Sequence, residues 1–244
     1  MKASAIEFRL RMLILTVILV LGFIAPWAEG WQSGQRQSLL EWLALELSRL
    51  GLLSFAVATP VLIVLASLIA LKGAVLRVWG AAWLGPATVQ NPDMKAGAVL
   101  ADGPYRHVRN PLYLGVWSMT VALAFVMPPS GALFILIAVP VFLLRLALGE
   151  EAFLAAKLGE PYLAYQRAVP RLFPRFRANL APTGRKPQWI RGALSELTPM
   201  GIFLTIAVLS WSYDNRLMLR AILVSFGVGL VARALLPRGA AVEE

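Results

Sequence analysis

The chain of 244 residues has a formal net charge of +10, a mean hydropathy of +0.70, and 59% hydrophobic against 15% charged residues. A soluble domain of this length would carry far more charge, so an integral membrane protein is expected. The absence of cysteine and the single histidine exclude disulfides, thiolate nucleophiles and multi-histidine metal sites. The basic residues flank apolar runs, the pattern of cytoplasmic loops over anionic lipid rather than of a nucleic-acid surface.

An all-α, polytopic architecture of about six transmembrane helices is expected. Residues 12–28 form an apolar run behind Lys2, Arg9 and Arg11. Because Ala25-Pro26-Trp27-Ala28 is a poor cleavage site, this run reads as a retained first span rather than a signal peptide. The mixed stretch from Glu29 to Arg49, with Trp31 and Trp42, reads as an outer loop containing a short interfacial helix. Leu50–Leu71 is the second span, kinked at Pro60.

Residues 72–110 form a polar-side segment with an amphipathic piece at 77–83 and breakers at Gly85-Pro86 and Asn91-Pro92. Leu112–Met127 and Ala132–Leu148 are the third and fourth spans, joined tightly through Pro128-Pro129-Ser130-Gly131. Residues 149–198 form a second polar-side segment, and Pro199–Trp211 and Leu217–Leu236 close the chain as fifth and sixth spans. Threaded with both termini inside, nineteen basic residues face the cytoplasm and four (Arg36, Arg49, Arg216, Arg220) the other side. Three sections follow: spans one and two (1–71), a core (72–177), and a C-terminal linker with spans five and six (178–244).

The densest polar writing is Gly103-Pro104-Tyr105-Arg106-His107-Val108-Arg109-Asn110-Pro111-Leu112-Tyr113-Leu114-Gly115. Pro111 suits the first position of a helix and Asn110 its N-cap. A helix start with Arg106 and Arg109 beside it favours an anionic ligand group. The short hairpin brings this loop near Glu150 and Glu151, read here as the end of the fourth span. Two carboxylates at a helix C-terminus need compensation, for which Arg106, Arg109, Arg145 and Arg167 are candidates. One carboxylate is then available for a ligand's hydroxyls or cationic amine.

The pattern Gly-Pro-Tyr-x-x-x-Arg-Asn-Pro-x-Tyr-x-Gly resembles the signature of the isoprenylcysteine carboxyl methyltransferase family and its membrane relatives, which methylate phospholipid amines or small thiols. The family usually has Arg-His-Pro; here Asn110 holds the histidine place. The resemblance spans roughly residues 72–177 and implies an S-adenosyl-L-methionine-dependent membrane methyltransferase. Carried over by position, its cofactor residues fall on Gln90, Gly97, Ala98, Val99, Leu100, Tyr105, Asn110, Pro111, Leu112, Tyr113 and Glu150.

His107 and Arg109 join the cofactor set from the same loop. Arg109, Glu150 and Glu151 are the candidates for chemistry, and Arg145 and Arg167 for holding the acceptor. The family's arginine one turn before the glutamate has no match: Leu146 stands there, with Arg145 beside it. Tyr162, Tyr165, Arg167, Pro170, Arg171 and Pro174 resemble the closing segment that would lie over the cofactor.

The expected activity is methyl transfer to a lipid-like or small apolar acceptor at the cytoplasmic face of a bacterial inner membrane, with membrane lipids as partners and neither metal nor nucleic acid. The alternatives are a phospholipid amine or small-thiol methyltransferase, a sterol-reductase-like enzyme using a nicotinamide cofactor, and a non-enzymatic transporter or scaffold. The span centres carry almost no charge, which disfavours transport.

Overall fold

The computed structural model describes residues 2–24, 37–84, 99–178, 180–181, 185–212 and 214–235, and among these every regular element is helical. Helix α1 (Ala5–Arg9) starts from a reciprocal capping box between Ser4 and Glu7 and turns at Leu10 into α2 (Arg11–Ile24). Helix α3 (Leu39–Arg49) has a second capping box, Ser38 with Glu41, and buries Leu40 and Ala44. Its first amides donate to the carbonyls of Met127 and Phe125, at 2.7 and 3.0 Å. The expected short helix is thus present and docked.

Helix α4 (Phe55–Leu84) is 30 residues long and passes through Pro60 without ending. At 1.5 Å per residue it runs about 45 Å, some 15 Å more than the hydrocarbon of a bilayer. The polar-side segment expected from residue 72 is therefore helical as far as Leu84. Alanine, leucine and valine carry the helix past Lys72 and Arg77, and both charges lie in its C-terminal half.

Helix α5 (Pro111–Ala124) begins at Pro111 as expected and packs along α4. The seam is a backbone approach: a Cβ built on Gly73 would lie 3.0 Å from the Gly115 carbonyl oxygen, and one on Gly115 would lie 3.1 Å from that of Gly73 and 2.6 Å from Cγ of Arg77.

Helix α6 (Pro129–Leu158) returns antiparallel to α5. It does not stop at residue 148. Ala152 to Leu158 are good helix formers, and the helix ends only at Gly159, whose φ of 62° is ordinary for glycine and strained for other residues. Helix α7 (Glu160–Ala168) follows at once. Helix α8 (Trp189–Ser195) and α9 (Leu197–Leu204), continued by irregular turns to Ser212, form one apolar path bent by 68° at Glu196. Helix α10 (Asn215–Leu235) packs back on α9.

Helices α4 and α6 are each long and apolar enough to cross a membrane, and the bent α8–α9 pair makes a third crossing if taken as one span. Helices α2 and α5 are apolar but have 14 residues each, about 21 Å, short of the hydrocarbon thickness. The expected remainder of the first span, residues 25–28, lies outside the described residues.

Candidate functional site

The antiparallel pairing of α5 and α6 brings the first turn of α5 against the C-terminal third of α6. There the Tyr113 hydroxyl donates to Glu150 Oε2 at 2.9 Å. Because α6 continues for two more turns, Glu150 and Glu151 are not at a helix C-terminus, and no dipole penalty falls on them. Consecutive residues on a helix point about 100° apart. Glu150 turns toward Tyr113, and Glu151 turns the other way.

Glu151 is buried, at 3% exposure, and densely satisfied. Arg171 donates to it through Nε and Nη2, the latter at 2.8 Å, and Asn110 Nδ2 donates at 3.0 Å. Arg109 Nε lies 3.3 Å away as an ion-pair partner, at an angle that makes no hydrogen bond. Of the four arginines expected to compensate the carboxylates, Arg109 does so; the main partner, Arg171, was read only as part of the closing segment. Its hydrogen bond to Glu151 raises the Arg171 pKa further, so the guanidinium stays charged.

The loop 103–110 is clamped from outside. The Arg109 amide donates to Pro170 O at 2.8 Å, the Arg175 amide to His107 O at 3.0 Å, and His107 Nδ1 meets Arg175 O at 2.7 Å. Residues 170–175 thus run as a strap beside the motif loop. His107 is engaged with this strap, with its ring 6.4 Å from that of Trp79. Arg106 Nε donates to Leu180 O at 2.8 Å.

Beneath lie the tyrosines. Tyr105 is buried near the backbone of Gly80, and Tyr165 donates to Tyr105 O at 2.8 Å. Burial raises the phenols of Tyr105, Tyr162 and Tyr165, Tyr162 to about 12, which keeps them protonated donors at neutral pH.

The remaining expected residues fall in three groups. Gln90, Gly97 and Ala98 lie outside the described residues. Pro111 is buried, and Leu112 fills the space that a Cβ on Gly80 would take, 2.8 Å from its Cδ2. Val99 packs on the Tyr162–Tyr165 cluster, and Leu100 is half-buried beside it in sequence. Arg145 and Arg167 both have acidic partners: Arg145 pairs with Glu7 at 2.7 Å, and Arg167 with Glu160 on the exposed face of α7. Leu146 is fully buried.

One pair escaped the sequence reading. Arg77 donates from Nε and Nη2 to Glu196 at 2.7 Å each, with the Glu196 carboxylate wholly buried. A charged residue on an apolar helix demands a partner, but nothing in the sequence says that it stands at the bend of a later span.

The donor set suits an amino-acid-bearing cofactor. Asn110 gives its side chain to Glu151 and makes no capping bond, so the first amides of α5 have no side-chain cap. They can take a carboxylate. Glu150, one hydrogen bond from Tyr113, offers an acceptor for an ammonium or ribose hydroxyls.

Residues 61–160 match the family model of the phospholipid methyltransferases. No curated protein and no solved structure matches the chain. The matched segment holds α4 from its second turn, the motif loop, α5 and α6, and so includes Tyr113, Glu150 and Glu151. The resemblance drawn from the Arg109-Asn110-Pro111 motif is borne out over this segment, which is 100 of the chain's 244 residues.

Proposed function

We propose that the chain is an S-adenosyl-L-methionine-dependent methyltransferase acting on a lipid-like or small apolar acceptor at the cytoplasmic face of a bacterial inner membrane, with six spans and both termini inside. The observation that carries this reading is the Tyr113–Glu150 pair beside the uncapped start of α5, inside the segment that matches a methyltransferase family. When bound, the cofactor supplies an electrophilic methyl group on a sulfonium with a good leaving group.

The protein's task is then to position and desolvate. The α5 amides hold the amino-acid carboxylate, and Glu150, oriented by Tyr113, holds the ammonium or the ribose. The Glu151–Arg171 pair fixes the strap over the motif loop and keeps water out. Arg109, already bound to Glu151, Pro170 and Gln166, positions this strap; Arg145 and Arg167 are available to an anionic acceptor only by exchanging Glu7 and Glu160. An anionic acceptor needs no base, in keeping with tyrosines held protonated and a histidine engaged by the strap.

Calorimetric titration with S-adenosylhomocysteine tests the reading. Saturable binding is expected, and at 100 times Kd it adds about 2.7 kcal/mol to a reversible unfolding equilibrium. No heat and no stabilisation up to millimolar ligand overturns the cofactor assignment.

A further inference from the structure

The strap has an outer side with no role in the site. Phe173 and Phe176 are 85% and 103% exposed, flanked by exposed Arg175 and Arg177. A second segment repeats this chemistry: Trp189 and Ile190 are exposed between Lys186 and Arg191, with Arg185 adjacent. Both lie at one end of the bundle. The strap is tied to Glu151 on α6 and to the loop preceding α5. Helix α8 is tied to the end of α4, where the Gln188 amide donates to Ala82 O at 2.7 Å and Gly192 packs on Ala82.

This is the end at which α4 and α6 carry their charged residues, Lys72 and Arg77 on α4 and Arg145, Glu150, Glu151 and Lys157 on α6. From residue 161 to 195 the sequence has seven basic residues and not one acidic residue.

We propose that this face docks on anionic phospholipid headgroups, with Phe173 and Phe176 seated at the headgroup–acyl boundary and Arg177, Arg185, Lys186 and Arg191 facing the lipid phosphates. Aromatic side chains favour that boundary, and an unbroken basic run is attracted to an anionic leaflet. The strap is then held from both sides, by Glu151 beneath and by lipid above. An anionic bilayer thus steadies the cover of the site, whichever acceptor is methylated.

The cysteine-free chain allows a direct test. A spin label is placed on Phe176→Cys, and separately on Phe173→Cys, in full-length protein reconstituted into nanodiscs of phosphatidylcholine alone or with phosphatidylglycerol. Both labels are expected about 5–10 Å below the headgroup surface in the anionic discs. They should become water-accessible in the neutral discs, and in anionic discs when Arg177→Gln and Arg185→Gln are added. Labels equally water-accessible in both discs overturn the proposal. So does a label that loses water access when a soluble polyphosphate is added to phosphatidylcholine discs, because the face would then bind free anions. The measurement uses no cofactor, so it stands or falls separately from methyl transfer.

Discussion

The two neighbouring glutamates should fail in different ways when neutralised. Glu151→Gln leaves Arg109 and Arg171 facing each other without their shared counter-charge, and Arg109 is only 10% exposed. Breaking a buried pair by removing one partner costs about 3–5 kcal/mol. Arg171 is 36% exposed and can swing toward water, so the lower end, about 3 kcal/mol, is expected.

Arg171→Gln leaves Glu151 with Asn110 and Arg109, so a loss of about 1.5–2 kcal/mol is expected. Glu150→Gln keeps an acceptor for Tyr113 and should hardly change stability. It removes a charge at the proposed ligand site, however, and should weaken S-adenosylhomocysteine binding about tenfold or more. Unfolding by steric trapping in bicelles gives the stabilities, and calorimetry the affinities. Equal stability losses at the two glutamates, or a Glu151→Gln protein as stable as wild type, would refute this division of labour.

Gly115→Leu should destabilise the protein by about 1–3 kcal/mol or more through overpacking, because even its Cβ would meet Arg77 Cγ at 2.6 Å; an unchanged melting temperature would contradict the tight α4–α5 seam. Arg77→Met alone should cost about 3–5 kcal/mol, and adding Glu196→Gln should restore much of it; additive losses in the double-variant cycle would show that the pair is not coupled. Glu7 has its pKa lowered, first by the Ser4 amide and then by Arg145. Its tether on α6 is therefore complete above the ordinary glutamate range and lost as pH falls through the lowered value. Protection of the amides of residues 2–9, taken relative to the intrinsic exchange rate at each pH, should fall at low pH and be low already at neutral pH in Glu7→Gln; the same protection profile in both proteins would exclude the tether.

The helix start at Pro111 and the proximity of the motif loop to residues 150–151 were legible because proline position and loop length are local matters. A short helix before Arg49 was legible too, whereas the Ser38–Glu41 capping box that starts it was not read. Helix ends were not. Lys72 and Glu150 resemble span boundaries to a reader counting charge, yet α4 and α6 continue because their C-terminal turns find partners in later segments. The close approach at Gly115 was equally hidden, because Gly73 and Arg77 of α4 fill the space beside it only once the two helices pack. The partners of Arg77 and Glu151 come from residues 196 and 171, and such pairings depend on a tertiary arrangement that no periodicity encodes.

The Arg77–Glu196 pair also has a meaning in time. The partners are separated by 119 positions. At translation rates of about 5–20 residues per second, Glu196 is made roughly 6–24 s after Arg77. During that interval the last turns of α4 and all of α5 and α6 can be synthesised while the Arg77 guanidinium has yet to meet its carboxylate. The nascent chain must hold that charge in the translocation machinery, in a water-filled groove or at the lipid headgroups until the bent span arrives. Final closure of the α4–α8 contact is therefore a late event in biogenesis, and a chain cut before residue 196 carries an unfinished core to quality control.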